Sequence, residues 1–296
     1  MPFVFEYFEN PTDRFPDSVV LESMDENVIK EKVSSCRSLI LEKFGDIKFL
    51  EEGHKYFIGE QEYIPVSNVI KEYEPDVDWD QKAADYAIKW HKKKEDVQRD
   101  WKLNNLKSTI SGTRTHCFGE SYTNLLCGYP YLICEQNKPQ YIKEYNTMVP
   151  TYPKEEAVVK FYNELSSNLH PVGAEFKLST EYIEGVRKIC GTCDLLFYNS
   201  ELDGFVIGDW KTNKSLIKEY SRSYGIMMKS LMSKYYDEPL SHYILQFNIY
   251  QRLLESIGVK IIDRMLLWLK DDGTYEQIWI EKIPDQVIDK ILKGVK

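Results

Sequence analysis

Two carboxylates and one lysine on neighbouring segments could carry out metal or acid–base chemistry. Asp209 and Lys211 end the apolar run 205–211, FVIGDWK, and Asp194 lies within the preceding run 186–198, VRKICGTCDLLFY. Because side chains alternate between the faces of a strand, Asp209 and Lys211 share one face. The turn-forming link NSELDG predicts an antiparallel hairpin that brings Asp194 near them. An isolated D-x-K is more typical of an ordinary ion pair at a strand end.

A divalent cation is the simplest partner for two such carboxylates. Placing two partly buried carboxylates side by side costs several kcal/mol unless a cation compensates them. Oxygen ligands favour Mg²⁺ or Mn²⁺, with water and substrate phosphate completing the coordination. The hairpin therefore predicts a Mg²⁺ or Mn²⁺ site.

A predicted amphipathic helix follows the hairpin, over 241–258, SHYILQFNIYQRLLESIG. Ser241 suits its N-cap and Gly258 its end. The apolar positions that define its buried face are Leu245, Ile249 and Leu253. Gln246 and Tyr250 lie four residues apart, on one flank of this helix.

A second predicted helix precedes the hairpin and contains GTRTHCFGE, residues 112–120. His116 and Glu120 are four residues apart, so they lie on the same helical face. An imidazole near the two carboxylates would tilt the choice of metal toward Mn²⁺.

Taken in order, these motifs resemble those of the PD-(D/E)XK nuclease superfamily, and of its RecB-like exonuclease branch in particular. The four elements are G-x-x-x-H, G-x-x-D, D-x-K and Q-x-x-x-Y, here ending at His116, Asp194, Lys211 and Tyr250. Gly191 stands where the nominal motif has proline, as in the RecB-like form. The resemblance covers roughly half of the chain.

The resemblance implies an α/β fold with a PD-(D/E)XK, restriction-endonuclease-like core. Such a core is a central mixed β-sheet flanked by helices. We expect two regions: residues 1–110, a helical N-terminal region that contains a β-hairpin, and residues 111–296, the nuclease core. Within the first region, the hairpin surrounds Gly59 and a helix begins near Ser67.

The resemblance also implies a metal-dependent DNA exonuclease that hydrolyses phosphodiester bonds from DNA ends in recombination, repair or replication. The implied catalytic residues are Asp194, Asp209, Lys211, Gln246 and Tyr250. The implied metal ligands are His116, Asp194, Asp209 and the backbone carbonyl of Trp210. Two further candidates are Glu120 and Glu175, the latter in competition with Glu181 and Glu184. Lys211 would orient water or stabilise the developing oxyanion.

Two other functions fit the same motifs. One is a structure-specific endonuclease on the same core, and the other is a nuclease-like module that binds DNA without cutting it. No G-x-x-x-x-G-K-[ST] motif is present, so any unwinding would come from a partner such as a helicase or an annealing protein. Digestion polarity, strand preference, DNA versus RNA and oligomeric state are left open.

The formal net charge of −9 argues against a broadly basic nucleic-acid binder, so contacts to phosphate must be local. The segment 211–234 is basic and rich in tyrosine, which is typical of a groove that follows a nucleic-acid backbone. The expected DNA contacts are Arg114, Lys214, Lys218, Arg222 and Tyr224. A long helix from Asp80 to about Lys107 would align three tryptophans, at eleven-residue spacing, in one stripe that we expect to be packed: Trp79, Trp90 and Trp101.

The start of the chain, MPFVFEYFENP, lacks the form of a signal peptide, and no run is long enough to span a bilayer. We therefore expect an intracellular, cytoplasmic protein with no membrane partner, compatible with a bacterial or phage-infected cell.

The cysteines do not form a paired framework typical of a small secreted protein. Within a strand, the sulfurs of the C-x-x-C pair, Cys190 and Cys193, would point to opposite faces. Neither zinc nor an iron–sulfur cluster is expected.

Overall fold

The computed structural model describes residues 24–129 and 149–295. The helices of this part of the chain are α1 (Glu26–Phe44), α2 (Val66–Lys71), α3 (Trp79–Lys89), α4 (Lys94–Leu126), α5 (Pro153–Asn163), α6 (Glu219–Ser223), α7 (Pro239–Glu255) and α8 (Asp285–Lys293). The strands are β1 (Lys48–Leu50), β2 (Lys55–Ile58), β3 (Gln61–Pro65), β4 (Leu169–Ser179), β5 (Ile189–Asn199), β6 (Gly204–Lys211), β7 (Ile261–Leu269) and β8 (Tyr275–Trp279). Short 3₁₀ turns occur at Thr180–Tyr182 and Ser230–Met232.

The described strands form one mixed sheet, in the order β1-β2-β3-β5-β6-β7-β8, with β4 pairing β5. The β5–β6 hairpin predicted from the NSELDG link is present and antiparallel. β3 runs parallel to β5, and β7 runs parallel to β6. The fold is therefore α/β with a mixed central sheet, as expected.

The two edges of β5 are paired differently. β4 pairs with one edge along most of the strand, whereas two strands share the other edge, where β3 pairs only at Ile189 and Cys190. β6 pairs on that same edge from Leu195 to Asn199. The register thus leaves residues 191–194 between β3 and β6 without a strand partner on that edge, among the residues described. Asp194 lies at the end of this gap.

Helices cover both faces of the sheet. On one face Ile207 and Leu196 pack with α1, α2, α7 and α8, and Leu245, Ile249 and Leu253 of α7 are fully buried there as predicted. On the other face Val206 and Trp210 pack with Phe118 of α4 and Phe161 of α5. The alternation of side chains in β6 therefore matches the two-face pattern read from the sequence.

Two helix boundaries differ from the sequence prediction. α7 begins at Pro239 rather than after Ser241, because proline fits the first helical position, where a missing N–H breaks no hydrogen bond. The long helix expected from Asp80 is two helices. His91 adopts a left-handed conformation (φ 52°) and the N–H of Lys92 bonds the carbonyl of Ala87, which ends α3 in the manner of a Schellman motif.

The expected boundary at residue 110 lies inside α4, and β3 joins the sheet of the expected nuclease core. The two predicted regions therefore share a helix and a sheet. The irregular connection predicted after Cys127 lies mostly outside the described residues, as does the segment before residue 24. Within 24–129 and 149–295, the helices are all too short or too polar to cross a bilayer.

Close packing of α4 on β6 depends on Gly119. A Cβ at this position would lie 2.6 Å from Nε1 of Trp210, whose ring is buried beneath the helix. We expect Gly119→Ala to lower the free energy of unfolding by about 1–2 kcal/mol, because overpacking outweighs the roughly 1 kcal/mol that alanine gains in a helix. Urea denaturation measures this change.

Gly112→Ala is the matched control in the same helix. The one close contact of its added Cβ would be the flexible Thr212 Oγ1, at 3.2 Å. We expect a neutral or stabilising effect there. Equal losses of stability in the two variants would show that contact with Trp210 is not the reason for a glycine at 119.

Candidate metal centre

The predicted site residues meet at the gap in β5. His116 lies in α4 one turn before Glu120, and its Nδ1 is 2.9 Å from Oδ2 of Asp194. Asp194 is 9% exposed and its Oδ2 is buried. The structure thus brings the histidine of the first motif to the aspartate of the second.

Glu175 joins this pair from β4. Ala174 pairs with Leu195 and Phe176 with Cys193, so Glu175 lies across from Asp194, and opposed residues of antiparallel strands share a face. His116, Glu175 and Asp194 each offer a ligand atom within 4.8 Å of the others. Of the acidic candidates, Glu175 therefore has the position of a metal ligand, whereas Glu184 is exposed and Glu181 accepts a hydrogen bond from Tyr63.

The backbone at Glu175 has an unusual conformation. Its φ is +56°, which is uncommon for a residue with a side chain, and the β4–β5 register shifts just before it, between Pro171 and Gly173. Strained backbone of this kind clusters at functional sites, where the surrounding structure holds it in place. Here it accompanies the placement of a carboxylate beside Asp194.

Asp209, Lys211, Gln246 and Tyr250 form a connected row beside the triad. Lys211 Nζ lies 2.6 Å from Asp209 Oδ2 and donates a hydrogen bond to Gln246 Oε1 at 3.2 Å. Gln246 Nε2 in turn donates to the Tyr250 hydroxyl at 3.0 Å. The Q-x-x-x-Y pair thus fixes the lysine of the D-x-K pair.

Tyr243, which none of the predicted motifs includes, also contacts this lysine. Its ring centroid is 4.3 Å from Lys211 Nζ, and its hydroxyl donates to Asn213 Oδ1 at 2.6 Å. The signal was present in the sequence, because positions 243, 246 and 250 follow the three- and four-residue spacing that lines one face of a helix. Lys211 is therefore held on three sides.

Gly191 permits the approach of Tyr250. A Cβ on Gly191 would lie 2.7 Å from Tyr250 Cε1 and 2.8 Å from Val66 Cγ2. The absence of a side chain in G-x-x-D thus makes room for the tyrosine of Q-x-x-x-Y. The glycine of one motif and the tyrosine of another are a packing pair.

Burial and mutual repulsion dominate the electrostatics of the acidic groups. Burial raises the pKa of Glu175 well above its ordinary value, and the charges of Asp194 and Glu120 raise it further. Burial and the charge of Asp194 likewise raise the pKa of Asp209, although Lys211 opposes this. Burial also raises the pKa of Asp194, but the adjacent His116 outweighs it and holds that pKa below the ordinary range. Asp194 is therefore the most strongly ionised carboxylate of the cluster.

Lys211 and Glu120 complete the charge pattern. Burial lowers the pKa of Lys211, but the nearby charge of Asp209 more than compensates, so the pKa lies above its ordinary value. Burial raises the pKa of Glu120, an effect that Lys177 opposes and Asp194 reinforces. Lys211 thus stays an ammonium group at neutral pH, and Glu120 lies close enough to act on the triad.

The donor set fits a divalent metal. The ion pair with Lys211 is at Oδ2 of Asp209, and the buried Oδ1 is left as a carboxylate oxygen that a cation would satisfy. Carboxylate oxygens with one imidazole suit Mn²⁺ or Mg²⁺. His116, Glu175 and Asp194 are the residues that would hold it, with Asp209 adjacent. The Trp210 carbonyl stays a predicted ligand.

The expected DNA contacts divide into two groups. Three are already engaged within the protein: Arg114 pairs with buried Glu155, Lys218 with Asp237, and Arg222 with buried Glu238. Lys214 and Tyr224 are exposed instead. The basic segment after β6 is therefore partly an internal ion-pair network.

Comparisons with known proteins add little to this geometry. The sequence matches no protein-family model and no curated protein. Several solved structures are similar, among them the crystal structure of SSO0001, at 12% identity over 90% of this chain and 85% of that one, with a TM-score of 0.33.

Glu175 offers a direct test of the metal centre. We expect Glu175→Gln to weaken Mn²⁺ binding at least about tenfold, since it removes one of the charged ligands. The same change should leave the stability of the metal-free protein intact or raise it, because a buried negative charge beside Asp194 is removed. Isothermal titration with Mn²⁺ and urea denaturation measure the two effects.

Glu184→Gln is the matched control, because it removes an exposed carboxylate at the end of the same segment. Its Mn²⁺ affinity should equal that of the wild type. Unchanged Mn²⁺ binding in Glu175→Gln would exclude Glu175 as a ligand.

Proposed function

We propose that this chain is a divalent-metal-dependent deoxyribonuclease with a PD-(D/E)XK core of the RecB-like type, acting as an exonuclease from DNA ends. One observation carries the proposal: four short motifs, far apart in sequence, converge on one buried cluster. His116, Glu175 and Asp194 form a triad with the spacing of metal ligands, and Lys211 lies beside Asp209 at its border. A structural ion pair would not require the other motifs to meet there.

The family's typical arrangement fits this geometry in two further respects. The hairpin that carries G-x-x-D and D-x-K lies in the middle of a mixed sheet, and α7, which carries Q-x-x-x-Y, packs across it. The hydrogen bonds from Lys211 to Gln246 and from Gln246 to Tyr250 link the last two motifs. These contacts support the assignment of Gln246 and Tyr250 as residues that position the lysine.

The carboxylates and His116 would hold Mg²⁺ or Mn²⁺, which supplies a more acidic bound water and neutralises charge developing on the phosphate. Lys211 is an ammonium group held by Asp209, Gln246 and Tyr243, and it places a fixed positive charge beside the proposed metal ligands. A preorganised cation in a buried site stabilises developing negative charge without having to reorient during the reaction. Asp209 keeps this lysine charged, as the direction of its pKa shift indicates.

DNA is the proposed substrate, and its ends are the proposed point of attack. The sequence carries no nucleotide-driven motor motif. A helicase or an annealing protein is therefore the proposed partner wherever a duplex must first be opened.

The proposal predicts metal-dependent digestion of DNA that requires Lys211. End-labelled linear single strands, linear duplex and closed circular DNA are incubated with Mg²⁺ or Mn²⁺. We expect loss of linear substrates with circles intact, and a rate at least about 100-fold lower for Lys211→Ala because a preorganised charge is removed. Circular dichroism checks that the variant is folded.

Lys282→Ala, which removes an exposed lysine paired with Asp285, is the control and should digest DNA at the wild-type rate. Cleavage of the circles would indicate an endonuclease on the same core. Intact DNA with both metals, together with retained DNA binding, would indicate a module that binds without cutting.

A further inference from the structure

A row of exposed aromatic rings runs across α3, the start of α4 and α6. Trp79 is 63% exposed and Trp90 is 56% exposed, so the predicted packing of the tryptophan stripe is wrong for these two rings. The physical reason is the break at His91, which folds α3 back on α4. The small apolar cluster between them, Ala83, Ala87 and Val97, leaves space against it for Trp101 alone among the tryptophans.

Ring contacts connect the four aromatic residues of the α3 and α4 part of this row. Trp90 contacts Tyr86 at 6.1 Å between centroids, and Tyr86 contacts Trp101 at 5.8 Å. Trp101 contacts Trp79 at 6.3 Å. The rings are therefore neighbours along one surface rather than scattered side chains.

Lys82 extends the row to α6. Its Nζ lies 5.0 Å from the Trp79 ring centroid and 5.7 Å from that of Tyr220. Tyr220 is itself stacked on Tyr224 at 4.6 Å, and Tyr224 is 72% exposed. The aromatic row, defined as Trp79, Tyr86, Trp90, Trp101, Tyr220 and Tyr224, thus joins two segments that are more than a hundred residues apart in sequence.

The segment 79–102, which carries most of the aromatic row, has seven lysines and arginines against five aspartates and glutamates. Lys82 and Lys89 contact ring faces, and neither has a carboxylate partner in the described part of the chain. The acidic residues of α3 and the start of α4 are mostly engaged: Asp80 pairs with Lys94, Asp85 accepts a hydrogen bond from Gln81, Asp96 pairs with Arg99 and Asp100 pairs with Lys92. Glu95 and Glu219 are exposed carboxylates, so the row as a whole carries a small excess of positive charge. This contrasts with the net charge of −9 for the whole chain and marks the row as a local site for an anion.

Contiguous exposed apolar surface of this kind marks an interaction site in soluble proteins. Ring faces together with unpaired lysines match one ligand chemistry closely, that of unpaired bases joined by phosphates. Aromatic side chains stack on exposed bases, and lysines follow the backbone. A duplex hides its base faces, so it offers the rings nothing to stack on.

The aromatic row also connects with the proposed catalytic centre. α6 begins at Glu219, and residues 212–218 connect it to Lys211, so its start lies within roughly 29 Å of that lysine even if the connection is fully extended. At the other end, α4 continues directly from Trp101 to His116. Both segments that carry the rings lead to the same centre.

We propose that the aromatic row binds single-stranded nucleic acid by base stacking and directs it to the metal centre. This inference rests on the proposed nuclease function for its second half, the delivery to the centre. It adds a strand preference, which the motifs leave open.

The test is equilibrium binding in EDTA, where cleavage cannot occur. The probe is a fluorescein-labelled oligothymidylate of about 16 nucleotides, the upper end of the site sizes of such surfaces. A blunt duplex of the same length is the comparison. We expect the wild type to bind the single strand more tightly, and Trp79→Ala/Trp90→Ala to weaken that binding at least about tenfold while leaving duplex binding within about twofold.

Two controls separate stacking from other causes. Trp79→Phe/Trp90→Phe keeps two ring faces and should retain most of the affinity. Tyr182→Ala removes a ring that is 43% exposed but lies outside the aromatic row, and should leave binding unchanged. Because Trp79 and Trp90 are exposed, the alanine variant should keep the wild-type thermal midpoint and circular dichroism.

Salt dependence tests the contribution of the lysines. For single strands, the slope of log K against log salt changes by about 0.7 for each phosphate that a lysine no longer neutralises. Lys82→Ala/Lys89→Ala should therefore reduce the slope by about 1.4. An unchanged slope would remove these lysines from the binding surface.

The outcomes distinguish this inference from the proposed function. Unaltered single-strand binding in the folded Trp79→Ala/Trp90→Ala variant would overturn the inference even if the wild type digests DNA. A protein that binds single strands through the aromatic row but leaves all DNA intact would retain the binding surface and refute the nuclease. If the Trp79→Ala/Trp90→Ala variant loses a self-association that the wild type shows in sedimentation, but still binds single strands, the inference is wrong and the row is a contact between copies of the chain.

Discussion

Crowding of negative charge at one end of the β5 gap is the constraint on which the rest of the site depends. Glu175, Asp194 and Asp209 lie close enough to raise one another's cost of ionisation, and the His116 imidazole and the Lys211 ammonium group lie beside them. Such a cluster is expensive in a metal-free protein. Each surrounding element can be understood as support for it: the strained β4 backbone, the stretch of β5 that lacks a described strand partner on one edge, the glycine at 191 and the glutamine that holds the lysine.

The packing of helices around the sheet serves the same cluster from two sides. On one face, α4 approaches closely because Gly119 lies over Trp210, and this places His116. On the other face, α7 brings Gln246 and Tyr250 against the hairpin. Trp210 and Lys211 are consecutive residues that point to opposite faces, so the D-x-K strand orients both layers at once.

The parts of this structure that short-range patterns determine could be predicted from the sequence. Alternation in β5 and β6, turn residues in NSELDG and the apolar spacing of α7 are local, and the coarse α/β arrangement follows from them. The break at His91 was missed because histidine rarely occupies the left-handed position that glycine usually takes. Glu175 could be named only as a candidate, since its place opposite Asp194 depends on a register shift. The exposure of Trp79 and Trp90 likewise follows from how α3 folds on α4, which no spacing encodes.

The length of α4 gives the site a mechanical property. From Lys94 to Gly112 the helix extends about 27 Å, and its residues 102–109 are exposed on every side. A helix is stiff over this distance, so the part of α4 before Gly112, with α3 packed on its start, acts as a lever whose pivot is the contact of Gly112 with Thr212. A tilt of about 5° at the pivot displaces the far end by roughly 2 Å over that length. A ligand that displaces the Trp79–Trp101 end therefore also rotates His116 slightly, because this histidine lies one turn beyond the pivot in the same helix.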